Sequence, residues 1–246
     1  MRLLLFVLGL SVWAVTASAQ DGESAEDTII VSGSFIREEP VPGVTLKRSG
    51  DFLLLPVTVT NDSREEKQRR DEIYKTLLKM LQKAKRDGNL EVSVLVNESF
   101  VRPLTKENHE IDLTKEGNRP DTSRATIHVS TRLTGKSNPG VLIDKLKTFV
   151  SGTAVVGRTV LEAQDEVEIS IRDPNQYRDQ IVKLVAQDIG RVTSALGADY
   201  RIHLMGIDRR VKWVRSGLSE VTLYIPYSYD VLPAANAYFI NNNTVE

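Results

Sequence analysis

The chain contains no cysteine, and that absence removes several kinds of chemistry at once. Structural disulfides, thiolate nucleophiles and cysteine-based zinc sites all need a cysteine sulfur, so none of them is open to this protein. Histidine is scarce as well, with three residues in a chain of 246, which leaves few ligands for a metal ion. We therefore expect no metal site and no cofactor.

An excess of charge of one sign is also lacking. Lysine and arginine total 32, aspartate and glutamate total 33, and the formal net charge is -1. A general nucleic-acid binder or a polybasic membrane-docking protein needs a basic excess, because it must neutralise phosphate groups. We therefore expect no nucleic-acid partner. The apolar share of 41% and the charged share of 26% are typical of a folded globular protein.

A long apolar run occurs only at the start of the chain. Arg2 precedes the apolar stretch Leu3 to Val15, and Ala17-Ser18-Ala19 supplies the small residues that a signal peptidase needs before Gln20. At about a dozen residues, the run is too short to cross roughly 30 Å of hydrocarbon. We predict a cleaved signal peptide over residues 1–19 and no transmembrane segment after cleavage.

Export without cysteine indicates a bacterial periplasmic location. Small secreted domains often rely on disulfides, but a domain of roughly 220 residues buries enough apolar surface without them. The mature chain begins with a flexible leader over residues 20–50. Within the leader, Thr28 to Phe35 is predicted as a short strand, whereas Glu38 to Gly50, with two prolines and two glycines, is predicted as a loop.

Three strand-helix-strand units are predicted within residues 51–233. In each unit an apolar strand precedes a polar cap, an amphipathic helix and a second strand. The first unit comprises Phe52 to Thr60, a helix over Arg64 to Arg86, and Leu90 to Val101; the second comprises Ala125 to Leu133, a helix over Val141 to Val150, and Ala154 to Leu161; the third comprises Glu166 to Ile171, a helix after Asp173-Pro174, and Tyr200 to Ile207. The first and third units follow the same order about 110 residues apart, which indicates a structural repeat.

The connecting segments carry their own signals. Pro56 in the first strand favours an edge position or a bulge, because proline lacks the N–H that a ladder needs. Arg102 to Ser123 is polar and is predicted as a long loop. Arg209 to Arg215 and Glu220 to Tyr229 are predicted to form a C-terminal hairpin, and residues 234–246 a loose tail. In the hairpin, Val211 and Trp213 are expected to face Leu223 and Ile225.

These elements predict an α+β fold. We expect a two-layer sheet-and-helix arrangement with mixed or mostly antiparallel sheets, repeated strand-helix-strand units and a C-terminal β-hairpin. A doubly wound nucleotide-binding fold is disfavoured, because the candidate first turn at Asn61 to Arg64 has no glycine.

The sequence offers no recognised catalytic constellation. His109 lies in a polar segment, while His128 and His203 lie in predicted strands, where the two could meet across a sheet. A Gly-x-Ser-x-Gly elbow is missing. Carboxylate pairs such as Asp71-Glu72 are interleaved with basic residues and are predicted to form a solvated, ion-paired helix face. We therefore assign no catalytic residue.

The C-terminal hairpin is the most unusual stretch, because its first strand is basic and contains Trp213, and its second strand carries three tyrosines. Arginine, tryptophan and tyrosine are favoured at protein interfaces, so the hairpin is a candidate contact surface. The predicted contact residues are Arg209, Arg210, Lys212, Trp213, Arg215, Tyr224, Tyr227 and Tyr229. The alternative is that alternate residues of the hairpin only pack against the helices.

Several of these features occur together in a known family. The signal peptide, Val31-Ser32-Gly33 near the mature start, and a strand over Val167 to Asp173 that leads into a long helix resemble the bacterial SIMPL-domain family of exported proteins. The likeness extends over most of Thr28 to Pro233. It implies an α+β protein of the cell envelope without established catalytic residues, with some relatives that form ring-like oligomers and some linked to oxidative-stress tolerance.

We therefore predict a non-enzymatic periplasmic protein that acts by self-association or by binding an envelope protein. A role in stress tolerance is implied by the resemblance. Two alternatives stay open: an envelope hydrolase built on His128 or His203, and a carrier of a small apolar ligand held between the helix layer and the sheet.

Overall fold

The computed structural model describes residues 29–31, 41–96, 100–116 and 119–234. The described residues form three α-helices and one 3₁₀ turn: α1 Glu66–Asp87, α2 Pro139–Ser151, α3 Arg178–Leu196 and the turn Pro174–Tyr177. They also form thirteen strands: β1 Ile29–Val31, β2 Leu46–Ser49, β3 Phe52–Asn61, β4 Leu90–Val96, β5 Phe100–Pro103, β6 Thr114–Glu116, β7 Arg119–Arg132, β8 Thr159–Ala163, β9 Glu168–Arg172, β10 Tyr200–Met205, β11 Lys212–Arg215, β12 Glu220–Tyr224 and β13 Ser228–Pro233. The predicted α+β class is confirmed.

Local caps explain where the helices begin and end. The Asn138 side chain accepts hydrogen bonds from the backbone N–H groups of Gly140 and Val141, which starts α2. The Asp173 side chain accepts from the N–H of Asn175 and starts the turn before α3. Gly88 ends α1 with a φ of 76°, a left-handed conformation that glycine adopts without steric cost.

Four strands of the main sheet form an interleaved pair of strand-helix-strand units. β3 and β7 pair antiparallel over ten residues, from Phe52 opposite Arg132 to Asn61 opposite Ser123. β4 pairs with β7, and β8 pairs with β3, which gives the order β4-β7-β3-β8. Helix α1 connects β3 to β4 across β7, and α2 connects β7 to β8 across β3. This connectivity is that of the ferredoxin-like split β-α-β arrangement.

The main core lies between this sheet and the helices. Alternate side chains of β3 and β7 point toward it, because successive strand residues face opposite sides. Fully buried members of this core include Leu53, Leu55 and Val57 of β3, Ile127 and Val129 of β7, Ile73, Leu77 and Met80 of α1, and Leu146 of α2. A smaller cluster of Phe52, Leu54 and Val101 is formed by side chains that the main core does not include.

Further strands close the main sheet into a ring of hydrogen-bonded neighbours. β4 pairs with β5, β5 with β1, β1 with β9, and β9 with the first residues of β3. Since β3 also pairs with β7 and β7 with β4, every strand in this circuit has two neighbours. Closure of this kind leaves the ring without an open edge.

Pro56 lies in a strand with neighbours on both sides, so of the two predicted alternatives, an edge position or a bulge, the edge position is wrong. On one side β3 pairs with β9 at Phe52 to Leu54 and with β8 from Val57 to Asn61, and Pro56 falls between the two. Its carbonyl accepts a hydrogen bond from the N–H of Gln164. The N–H that proline lacks is therefore tolerated at a position where β3 changes partner.

The three predicted strand-helix-strand units are present, but the first and third are not equivalent. β9 joins the main sheet, whereas β10 pairs only with β13 among the described strands. The units that mirror each other in space are the first and the second. Hydrophobic periodicity identifies a strand, but it does not say which strand will be its neighbour.

Polar edge strands were missed. β2 lies inside the predicted loop Glu38 to Gly50 and pairs with β12. β6 and the first residues of β7 lie inside the predicted loop Arg102 to Ser123. Strands that are held mainly by backbone pairing need no apolar alternation, so their sequences resemble loops.

The predicted C-terminal hairpin is confirmed as β11 and β12. Trp213 lies opposite Leu223 in the register, and Val211, Trp213, Leu223 and Ile225 all belong to the main core, as expected. The second strand is shorter than predicted, because the chain leaves β12 and enters β13 after Pro226. β13 then pairs with β10 in a separate two-stranded sheet, which we call the ribbon.

Glu72 joins the end of β3, helix α1 and the loop before β8. One carboxylate oxygen accepts hydrogen bonds from Asn61 Nδ2 at 2.7 Å, Ser63 Oγ at 2.8 Å and the backbone N–H of Arg158 at 3.0 Å. The other accepts from Gln68 Nε2 at 2.8 Å. These donors, above all Asn61, stabilise the carboxylate and lower the pKa of Glu72 to about 2.

Gly157 allows the loop to approach this carboxylate. Its φ is 58°, and a Cβ at this position would overlap the Glu72 carboxyl group. Beside it, Arg158 forms a two-pronged ion pair with Asp62, with nitrogen–oxygen distances of 2.7 and 2.8 Å. The hydrogen bonds hold the Glu72 carboxylate in place, so moving it aside would cost the free energy of those hydrogen bonds.

We expect Gly157→Ala to destabilise the protein by more than about 2 kcal/mol, because strain in the left-handed region adds to the overlap with Glu72. Two control variants, compared with Gly157→Ala by urea unfolding, separate the cost of the left-handed conformation from the cost of the overlap. Gly88→Ala, with a φ of 76° and open space around it, should lose only about 1 kcal/mol. Gly135→Ala, which has neither feature, should be neutral. Equal losses at Gly157 and Gly88 would show that the overlap has no cost.

We expect Glu72→Gln to lower stability at pH 7 and to lose this effect in acid. A carboxyl whose pKa is lower in the folded state stabilises the fold above its unfolded pKa near 4.5, and that contribution disappears as the pH falls toward 2. Unfolding midpoints of the variant and the wild type should therefore converge between pH 4.5 and 2. Glu65→Gln, in an exposed residue before α1, serves as the matched control. A constant gap between Glu72→Gln and wild type at all pH values would contradict this role.

Candidate functional site

Polar side chains are buried on the face of the main sheet that points away from the helices. Ile127 and Val129 of β7 belong to the helix-side core, so His128 between them lies on the opposite face. In β9, Ile169 and Ile171 occupy the core in the same way, and Glu168 lies on the His128 side. Other buried polar residues on this face include Ser93 of β4, Thr122 and Ser130 of β7 and Ser170 of β9.

His128 and Glu168 are two titratable groups that lie close together on this face. His128 Nε2 lies 3.6 Å from Glu168 Oε2, and the histidine is 3% exposed. Neither His128 Nδ1 nor Glu168 Oε2 has a hydrogen-bond partner among the described residues. Burial lowers the pKa of His128 to about 4, so its imidazole is neutral at pH 7. Burial raises the pKa of Glu168, and the nearby positive charge of Arg215 opposes that rise.

A cavity of about 580 Å³ lies beside Glu168. Pro56 and Ile169 line it, and Asp165 and Glu166 contribute carboxyl groups to its wall. The cavity opens where β8 and β9 separate at Pro56. Arg215 also lines it and donates to the carbonyl of Val167 at 2.6 Å, which ties the hairpin to β9.

The arrangement around His128 has a base but no placed nucleophile. Ser93 Oγ lies 3.5 Å from the backbone carbonyl of His128, not from its ring. The imidazole is almost fully covered, so a substrate has no direct access to it in this conformation. The geometry thus shows a buried proton acceptor next to a carboxyl group, and it shows no hydrolytic triad within the described residues.

The other two histidines lie elsewhere. His203 is exposed on β10, opposite Asp230 of β13, and His128 and His203 lie in separate sheets, so they do not meet across one sheet. His109 lies in the polar segment between β5 and β6, 2.7 Å from the carbonyl of Lys106. Its ring packs edge-on against Tyr74 at a centroid distance of 5.8 Å.

Glu72 differs from the predicted solvated, ion-paired face of α1. Its partners are an amide, a hydroxyl and a backbone N–H rather than lysine or arginine side chains. The sequence clue was Asn61-Asp62-Ser63 immediately before the helix, since polar side chains at that point favour local hydrogen bonds. Glu168 was missed too, although it is the charged residue within an apolar alternation.

The predicted contact set on the hairpin is divided by the fold. Trp213 and Tyr224 are 7% and 4% exposed, and Trp213 is part of the main core. Arg209, Arg210, Lys212 and Arg215 are exposed, and Tyr227 is half-buried. Tyr229 is exposed, but it lies on β13 of the ribbon rather than on the hairpin.

The ribbon carries large apolar side chains that are exposed among the described residues. Val231 is 42% exposed and Tyr229 is 39% exposed on β13, and Tyr200 and Met205 are similarly exposed on β10. Leu196, at the end of the neighbouring helix α3, is exposed as well. Among the described strands, neither β10 nor β13 has a second neighbour.

A second cavity, of about 440 Å³, lies between α1 and β4. It is lined chiefly by Leu78, Leu81, Leu90, Val92 and Leu104. It lies between a helix and the sheet, where the alternative of a small apolar ligand would place its occupant. Ligand carriage itself stays a prediction.

Neither a membrane span nor a metal centre is found in the part of the chain that the structure describes. No helix there is long and apolar enough to cross a bilayer, and no group of three or more potential ligands gathers around a common point. No protein-family model, curated protein or solved structure matches this chain.

We expect His128→Gln to reduce the loss of stability in mild acid. The folded-state pKa of His128, about 4, lies below the ordinary value of 6.5, so the unfolded chain takes up the proton first. Stability should therefore fall as the pH drops from 6.5 to 4, by up to about 3 kcal/mol from this residue. The raised pKa of Glu168 acts in the opposite direction, and it remains in the variant.

Urea unfolding between pH 7 and pH 4.5 measures this difference. The slope of stability against pH should be smaller in His128→Gln than in wild type. If His128→Gln keeps the wild-type slope, His128 titrates alike in the folded and unfolded states.

Proposed function

We propose that this protein is a SIMPL-like component of the bacterial cell envelope that acts by protein association, with another copy of itself as the partner. In this proposal it is not an enzyme, and it works in the periplasm after removal of residues 1–19. A contribution to stress tolerance follows from the family resemblance. The ribbon is the surface through which it associates.

The uncovered apolar side chains of the ribbon carry this proposal. Tyr229 and Val231 protrude from one face of a two-stranded sheet together with Tyr200, and Met205 is exposed on the other face. Isolated two-stranded sheets are marginally stable in water, and clustered exposed apolar residues commonly mark protein interfaces. Tyr229 is also a member of the contact set predicted from the sequence.

The chemistry of the interior favours binding over catalysis. In the part of the chain that the structure describes, His128 is buried with no nucleophile placed at its ring, and the carboxylate of Glu72 is engaged in structural hydrogen bonds. The exposed basic residues of the hairpin, such as Arg210 and Lys212, extend the candidate contact surface beyond the ribbon.

We expect Val231→Lys to weaken self-association at least tenfold, because a charge would be buried at the centre of the proposed interface. The protein is expressed with its own leader, recovered from the periplasmic fraction and measured by light scattering over a range of concentrations. Val141→Lys is the matched control, since Val141 is 63% exposed on α2, away from the ribbon. Circular dichroism verifies that both variants are folded.

The wild type and Val141→Lys should associate at micromolar concentrations, whereas Val231→Lys should be shifted toward the monomer. A wild type that is strictly monomeric at high micromolar concentration would overturn self-association. Equal weakening by both lysine substitutions would place the interface elsewhere.

A further inference from the structure

We infer that copies of this chain join head to tail, with the outer edge of β10 in one copy pairing antiparallel with the outer edge of β13 in the next. The inference rests on the proposed self-association and adds its geometry. It commits to a second copy of the chain as the occupant of the ribbon edges.

The two edges are available as pairing templates. Within the described residues, β10 and β13 pair with each other from Tyr200 opposite Pro233 to Met205 opposite Ser228, and each has one strand neighbour. An unpaired strand edge presents a row of N–H and C=O groups that another strand can bind. Addition of a strand on either side would extend the ribbon into a larger antiparallel sheet.

Charge decides which edges meet. Arg201 and His203 lie on β10, and Asp230 lies on β13. All three side chains point to one face of the ribbon, since His203 lies directly opposite Asp230 and Arg201 is two residues away from His203. A β10–β13 contact between copies brings basic residues against an acidic one, in the manner of the pairing within each copy.

The two symmetric alternatives lack this complementarity. A β10–β10 contact brings two strands with basic residues together, and neither strand has an acidic residue. A β13–β13 contact brings Asp230 of one copy toward Asp230 of the other, and neither strand has a basic residue. Unlike charges across neighbouring strands are favourable and like charges are unfavourable. The head-to-tail arrangement is therefore preferred over either two-fold symmetric dimer.

The apolar face of the ribbon also favours a head-to-tail contact. Ile202 lies opposite Val231, and Leu204 lies opposite Tyr229, so these four residues share a face. Ile202 and Leu204 on β10 are half-buried, and Leu204 packs against the main core. Their partners Val231 and Tyr229 on β13 are exposed. A second β10 placed beside β13 would bring with it the α3 that packs against β10, next to Tyr229 and Val231. The neighbour would thus supply the cover that the monomer lacks.

Head-to-tail contacts use two different surfaces, so after a single contact one copy keeps its β13 edge unused and the other keeps its β10 edge unused. Such interfaces build closed rings when the rotation between copies closes, and open chains when it does not. Assemblies of three or more copies are therefore expected, rather than dimers that stop at two.

The absence of cysteine makes a clean crosslinking experiment possible. Met205→Cys on β10 and Ser228→Cys on β13 are prepared as separate full-length proteins; both positions are exposed and carry no charge. The register that sets His203 opposite Asp230 also sets Met205 opposite Ser228. A short bismaleimide crosslinker is added to each variant alone and to an equal mixture.

Crosslinked dimers should form in the mixture at least tenfold more than in either variant alone. Strong crosslinking of Met205→Cys alone, or of Ser228→Cys alone, would overturn the head-to-tail geometry in favour of a symmetric dimer. No crosslink in any arm, with a wild type that associates in light scattering, would also overturn it while leaving self-association standing. A monomeric wild type would overturn both.

A charge swap tests the same contact without added cysteines, through the protein concentration needed for assembly. Asp230→Arg should raise the concentration needed for assembly about tenfold, and the double variant Arg201→Asp with Asp230→Arg should restore it to within about threefold of wild type, a difference of less than 1 kcal/mol. A double variant that assembles no better than Asp230→Arg would overturn the charge argument.

Discussion

Strand β3 is the constraint on which the rest of the fold depends. Its residues are almost all buried, so each of its backbone polar groups needs a partner inside the protein. β7 satisfies one side along its full length, while β9 and β8 divide the other side. Pro56 lies between the segments of β3 that pair with β9 and with β8. Because proline has no N–H to donate, β3 changes partner there without leaving a buried backbone donor unpaired.

Two further features follow from that division. The separation of β8 and β9 opens the cavity beside Glu168, and it lets β9 turn toward β1 and close the ring. At the other end of β3, Asn61 donates to Glu72 and thereby fixes the start of α1 and the loop around Arg158. The end of the central strand thus positions both the helix that follows it and the strand that flanks it.

The protein contains two half-buried carboxyl groups in environments of opposite character. Glu72 is surrounded by donors, which lower its pKa, and it acts as a structural joint. Burial raises the pKa of Glu168, and among the described residues neither Glu168 Oε2 nor His128 Nδ1 has a hydrogen-bond partner. Neither environment requires a substrate. Exposed apolar side chains occur on the ribbon, where β10 and β13 have one strand neighbour each within the described residues. Association through the ribbon would give these two strands a second neighbour.

The sequence by itself determined the class of the fold and the course of its long elements. The helices α1, α2 and α3, their caps at Asn138 and Asp173, and the inward alternation of Val211 and Trp213 follow from local periodicity and local hydrogen bonding. The tertiary structure alone decided which strands are neighbours. It placed Pro56 in the centre, moved Tyr229 from the hairpin to the ribbon, buried Tyr224, and set His128 beside Glu168 and apart from His203. Periodicity assigns a residue to a face, but pairing between distant strands depends on contacts that no local pattern contains.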